Sequence, residues 1–287
     1  MLRLFGCMVL MICWLSTFSF AEEPVVLPSH LPFGVGESLE YHVRYGVIPA
    51  GEARIAILDT VTVDNHLCFH AVSQARSAKA FDIIFKVRDN VETWFDYDSL
   101  YTHRFRKRLN EGRYHDDKIV NYRYDEGVAQ LIDDGDRKGN YPIPPWVQDA
   151  LSALFWVRTL PFAEDTVLVV PTHDVNKTYN LQVVVGEKEM VTTPAGNFEC
   201  YKVEPRLESG GIFKKDKGGR IWIWFTADDR KLPVLMQSKV FFGHVTAELE
   251  TYTPGTLRQA DEPPSSESGS LSYPDSSGKA GILQGEF

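Results

Sequence analysis

Cysteine is scarce in this chain of 287 residues, with four in all. Cys7 and Cys13 lie in the first twenty residues, so Cys68 and Cys200 are the only two left for the body of the protein. A disulfide-dense scaffold is excluded. Basic residues are also in deficit, with 30 Lys and Arg against 39 Asp and Glu. A formal net charge of −9 disfavours general binding to nucleic acid or to an anionic membrane, both of which need a positive field. Long apolar runs are missing beyond the N-terminus, so no later segment is expected to cross a bilayer as a helix. Absent too are a Gly-x-Ser-x-Gly elbow, an HExxH, a CxxC, a P-loop and a dinucleotide fingerprint. No catalytic residue, metal site or cofactor is expected.

What is present begins with an export signal. Met1-Leu2-Arg3 is a short basic start, an apolar run follows from Leu4 to Phe20, and Ser19-Phe20-Ala21 supplies small residues for cleavage after Ala21. An uncleaved anchor helix is the alternative. Cleavage removes Arg3 and takes the formal charge from −9 to −10. The remaining chain divides by composition into a β-rich domain over 22–253 and a Pro/Ser/Gly/acidic tail over 254–287 that lacks the apolar residues to order itself. In an oxidising compartment Cys68 and Cys200 are a disulfide candidate; two buried free thiols are the other reading.

The domain reads as strands. Leu39-Glu40-Tyr41-His42-Val43-Arg44-Tyr45 alternates apolar and polar residues, which marks a half-buried strand, and the same pattern recurs down the chain. Ile48-Pro49-Ala50-Gly51, Asp64-Asn65, Asn110-Glu111-Gly112, Asp125-Glu126-Gly127 and Thr193-Pro194-Ala195-Gly196 read as turns. The stretch from Asp133 to Asn140 reads as a solvated polar loop. One helix is predicted, with Asp149 as N-cap, Leu151, Leu154, Phe155 and Arg158 near one face, and Pro161 as its stop. The fold class is therefore all-β and mainly antiparallel: a curved sheet forming a half-barrel or barrel, with a central helix as lid or plug.

Several of these pieces, in this order, resemble one bacterial family. They are Val47-Ile48-Pro49-Ala50-Gly51-Glu52-Ala53, the helix Asp149-Ala150-Leu151-Ser152-Ala153-Leu154 with Arg158-Thr159-Leu160-Pro161, and Thr193-Pro194-Ala195-Gly196-Asn197-Phe198. Gly210-Gly211-Ile212-Phe213 and Asp228-Asp229-Arg230-Lys231-Leu232-Pro233-Val234 complete the set. The chain is similar over 33–253 to the exported domain-of-unknown-function family 3108. The resemblance implies a Gram-negative-type envelope protein and carries no activity or catalytic residue with it. At the level of fold the pattern is also similar to lipoprotein carriers, whose open half-barrels shelter acyl chains under helical lids; fold alone does not set function.

Three side-chain groups could carry chemistry. His66, Cys68 and His70 share one strand face and are of metal-ligating type, but without a fourth ligand in the sequence they read as structural. Arg104, Arg106 and Arg108 form a period-2 stripe. Centring the next turn on Glu111 sets Arg106 opposite Asp116 and Arg104 opposite Lys118. The stripe is either a solvated face or a guanidinium cradle for a phosphate or sulfate group. Ile221-Trp222-Ile223-Trp224-Phe225 is apolar on both faces and must be covered on both. One face could open onto a greasy cleft lined by Trp222 and Trp224 and closed by Phe155 and Trp156 of the helix. These readings lead to a non-enzymatic periplasmic binding or carrier protein for a lipid, lipoprotein or glycolipid component of the envelope, not integral to the membrane after cleavage. An assembly factor that pairs with another envelope protein and a hydrolase of cell-wall glycans or esters are the alternatives.

Overall fold

The structure, a computed structural model, describes residues 30–207, 220–239 and 243–257. The expected signal segment, and the tail beyond Leu257, lie outside the described residues. The chain opens with β1 (Gly34–Val35), β2 (Ser38–Tyr45), β3 (Ile48–Val63) and β4 (His66–Ser77). After a short 3-10 turn come β5 (Arg88–Asp96), β6 (Thr102–Glu111), β7 (Tyr114–Arg123), β8 (Val128–Asp133) and β9 (Asp136–Pro142). The helix α1 (Ala150–Thr159) leads to β10 (Thr166–Asp174), β11 (Lys177–Thr193) and β12 (Gly196–Leu207). The last strands are β13 (Ile221–Thr226), β14 (Pro233–Lys239), β15 (His244–Thr253) and β16 (Thr256–Leu257).

Fourteen strands form a single antiparallel sheet, in the order β10-β11-β12-β13-β14-β15-β2-β3-β4-β5-β6-β7-β8-β9. Hairpins make every step except the join of β15 to β2. The chain meanders out to β9, crosses by the helix to the opposite edge at β10, and meanders back. The sheet curls but does not close. Its seam is spanned by the segment entering the helix, where Gln148 bridges Thr172 in parallel and the Thr178 hydroxyl donates to the Pro142 carbonyl at 3.0 Å. This is the expected half-barrel, with the helix inside it.

The helix is held at both ends. Asp149 is its N-cap, as expected, and is fully buried. Its carboxylate accepts hydrogen bonds from the amides of Leu151 (2.7 Å) and Ser152 (3.0 Å), and from the hydroxyls of Thr93 and Thr102 (2.9 Å). The Asp149 amide in turn donates to the Ser152 hydroxyl at 2.9 Å, completing a capping box tied to β5 and β6. At the C-terminal end Arg158, 1 % exposed, forms a fork of 2.6 and 2.9 Å with Glu37, also 1 % exposed. Its remaining donors reach the carbonyls of Pro32 and Arg230. Between these anchors Phe155 packs on Phe33 and Phe95, at ring separations of 5.2 and 5.4 Å.

Three local expectations are corrected. The polar stretch after Asp133 is not a loop: Asp134 and Gly135 take positive φ and turn the chain into β9, the edge strand paired with β8. An edge strand tolerates polar residues on both faces, so the missing alternation was no bar. The first Pro-Ala-Gly is not a turn either. Gly46 and Val47 make the hairpin, while Gly51 lies within β3, where a Cβ would sit 2.1 Å from the Arg76 carbonyl oxygen. Order also runs past residue 253, since β16 pairs with β1.

Candidate functional site: an apolar cleft beneath the helix

Ala150, Ala153, Leu154 and Val157 recur at helical spacing and face β10–β13, while Leu151, Phe155 and Arg158 face the main core. The helix is thus apolar on two sides. One side is filled by neighbouring side chains; the other borders a cleft of about 200 Å³. On the sheet, Leu181 and Val183 of β11, Val203 of β12, and Ile221, Ile223 and Phe225 of β13 line it. The ladder between β12 and β13 runs only from Cys200–Val203 against Ile223–Thr226, so the two strands stop pairing beside the cleft. Its polar margin is Thr172 and Tyr179, and among the described residues its lining has no carboxylate, histidine or cysteine. A larger groove of about 580 Å³ crosses Glu40, Glu52, Arg54 and Arg76; it is charged and partly self-paired, with Arg76 on Glu52 at 3.1 Å.

β13 is apolar on both faces, but its two faces do different things. Ile221, Ile223 and Phe225 border the cleft. Trp222 and Trp224 occupy the opposite face, where Trp224 is buried in the main core and its indole N–H donates to Glu189. The Lys202 ammonium lies over both rings, 5.6 Å from Trp222 and 5.0 Å from Trp224. Phe155 is a core residue and not a lid, and Trp156 is half-buried between the two clusters. The tryptophans and Phe155 therefore sit beside the hollow rather than in it. The signal that finds the true lining is present in the sequence: the odd face of β13 and the 150/153/154/157 stripe.

Arg104 and Arg106 are far from this place, with β14, β15, β2, β3, β4 and β5 between β6 and β13. They lie on the face of β5–β6 opposite Thr93 and Phe105. The β6–β7 turn is centred on Gly112 and Arg113, not on Glu111, so Arg106 faces Ile119 and Arg104 faces Asn121. Arg106 still finds a carboxylate, diagonally, in a two-bond fork with Asp117 at 2.9 and 3.1 Å. Arg108 holds Glu92 at 3.0 Å. Arg104 bonds Asn121 at 2.9 Å and stacks over Trp94. Two of the three guanidiniums are thus committed to carboxylates of the protein itself.

His66, Cys68 and His70 do not converge. His70 stacks on Trp94 at 4.7 Å and faces Asp59 at 3.3 Å. His66 turns instead toward Asp96 (3.8 Å) and stacks on His103 at 4.4 Å, and His103 Nε2 lies 3.3 Å from the same carboxylate oxygen. Neither His103 nor Asp96 was legible as a partner, because only the β4–β5–β6 register brings them together. Cys68 and Cys200 are both buried and unbridged, which corrects the disulfide candidate. Burial pushes both thiols up to about 12, so they stay protonated at neutral pH and behave as small apolar groups.

The architecture, a curled antiparallel sheet with an internal helix and an apolar cleft, is that of a β-barrel-like protein. The chain belongs to the family described as "Protein of unknown function (DUF3108)", whose profile matches residues 40–250. Among solved structures it is similar to a β-barrel-like protein of domain of unknown function DUF1849 from Brucella abortus, with a TM-score of 0.50 and 10% identity over 78% of this chain and 99% of that one. It also matches, with a TM-score of 0.32 and 14% identity, a Bacteroides fragilis protein described as exported with a YmcC-like fold, over 78% of this chain and 98% of the other. A protein from Parabacteroides distasonis described as a lipoprotein matches with a TM-score of 0.31 and 13% identity, over 78% and 99%. None of the curated proteins matches the chain. Among the described residues no helix is long and apolar enough to cross a membrane.

Proposed function

We propose that this protein is a non-enzymatic binding or carrier protein that takes a single apolar chain of an envelope amphiphile into the cleft between α1 and β10–β13. The observation that carries the reading is the cleft itself, bordered by helix and sheet side chains that are almost wholly apolar. Water gains little in such a space, since a buried water needs two to four polar partners. An acyl chain needs none. The size limits the guest: about 200 Å³ is below the roughly 300–1,000 Å³ of sites that engulf a drug-sized ligand. One segment of a chain would be held, with its head group outside, past Thr172 and Tyr179. A hydrolase would want a nucleophile or a pair of carboxylates at the reacting bond, and the described residues of the lining offer neither. The export signal at the N-terminus supports a periplasmic setting, where such a guest would be met.

Native mass spectrometry of the protein extracted gently from its own envelope tests this. A discrete mass increment that dissociates as a lipid or lipopeptide, and that is lost when Ile223→Trp fills the cleft, is the expected result. A clean polypeptide mass from cells in which the protein is abundant would count against carriage and favour a protein partner.

A further inference from the structure

A second site is built where the β3–β4 hairpin meets the β5–β6 connection, and it does not involve the cleft. His66 is the first residue of β4, directly after the turn residues Asp64 and Asn65, both with positive φ. Asp96 ends β5, and the turn that follows folds back so that the amides of Asp98 and Ser99 donate to its Oδ1 at 3.0 and 2.7 Å. That fixes the carboxylate and leaves Oδ2 turned toward the two imidazoles. His103, 4 % exposed, points Nε2 at it from 3.3 Å, and His66 Nδ1 stands at 3.8 Å. One ligand atom from each of the three residues falls within 4.8 Å of the other two; among the described residues it is the one such group of His, Cys, Asp or Glu.

From this geometry we propose that His66, Asp96 and His103 form a binding site for a divalent transition ion of the zinc type. Imidazole nitrogen and carboxylate oxygen bind such ions at about 2.0–2.2 Å, which sets tetrahedral ligand atoms roughly 3.3 Å apart. The Asp96–His103 pair is already at that spacing. Closing the third side takes a turn of the His66 ring out of its stack on His103, so that its in-plane lone pair meets the ion, and His66 is the one of the three whose side chain is half exposed while the other two are buried. The exposed side leaves a fourth position for water or an outside ligand. Two backbone amides on the far oxygen of Asp96 are the kind of outer support that holds a ligating carboxylate in place. Cys68 stands across from Asp96 on the next strand, but its thiol donates to the His66 carbonyl at 3.4 Å and is not counted among the ligands. A simple histidine–carboxylate contact is the competing account. It explains His103 but not why Nδ1 of a second imidazole also falls within 3.8 Å of the same oxygen.

The test is titration of the untagged, chelator-treated full-length protein with Zn²⁺ by calorimetry and with Co²⁺ by visible absorption. One equivalent is expected to bind, with cobalt bands of a nitrogen/oxygen site and no thiolate charge-transfer band. His66→Ala and Asp96→Asn should each weaken binding by about tenfold to a hundredfold, while His70→Ala and Cys68→Ser leave it unchanged. Because Asp96 is buried, Zn²⁺-dependent shifts of the His66 and His103 ring protons in the unaltered protein give a readout that needs no substitution. Absence of saturable binding, or binding indifferent to His66→Ala, would overturn the site.

Discussion

At the scale of the residue, Asp149 does more than its place before a helix requires. Asp149, standing just before the apolar run, announced an N-cap, and the structure has it, with Ser152 closing a capping box that was not foreseen. The sequence could not announce that Thr93 and Thr102, 56 and 47 residues away, would share the carboxylate, because only the packed sheet presents them. Burial pushes the Asp149 carboxyl above its ordinary range, against the pull of those hydrogen bonds. Asp149→Ala removes the cap, worth about 1–2 kcal/mol, and strands buried hydroxyls and amides that cost about 1–3 kcal/mol. A loss of roughly 3–4 kcal/mol in urea unfolding is expected; a loss below about 1 kcal/mol would mean that the helix is not anchored there. Arg158 was legible as a helix residue but not as half of a buried ion pair, since Glu37 lies 121 positions earlier. Breaking such a pair from one side is costly, whereas its net worth against an apolar replacement is small.

At the scale of the element, alternation found the central strands and missed the edge. β9 has no buried face to write into its sequence, and the two Pro-Ala-Gly tripeptides look alike although one turns the chain and the other lets β3 approach β4. Register was likewise hidden: moving the centre of the β6–β7 turn from Glu111 to between Gly112 and Arg113 shifted every partner of the arginine stripe by three residues. β13 taught the converse. Its two apolar faces were plain, but which one borders the cleft depends on the strands beside it. At the rim, Glu204 of β12 accepts from Arg220 at 2.8 and 3.1 Å and from Arg206 at 2.6 Å. Partial burial alone would raise this carboxyl, but the two guanidiniums outweigh it and hold it below the usual range. A depressed folded pKa means stability that is present above the unfolded value, about 4.3, and lost as pH falls through the folded one. Glu204→Gln should therefore lower the melting temperature at pH 7, and the gap from the unaltered protein should close as the pH falls below the depressed folded pKa. A gap independent of pH would show that the pairing is not the source.

For the whole molecule, fold class and the helix's position inside the curve were legible, because period-2 patterning, turn chemistry and a single capped helix all point one way. The join of β15 to β2, and with it the sheet order, was not, for no local signal encodes a pairing between chain ends. The cleft emerges from that long-range order: α1 leaves the β9 edge, crosses the hollow, and meets β10–β13 with a stripe of small and branched residues that does not fill the gap. Methyl-labelled NMR of the Ile, Leu and Val side chains, titrated with a medium-chain fatty acid and with its lysophospholipid, tests this most directly. Saturable shifts centred on Leu154, Val157, Val203, Ile221 and Ile223 are the result this account predicts, with Leu39, Leu100 and Val120 in the filled core unmoved. No saturable shift, or shifts centred elsewhere, would contradict it.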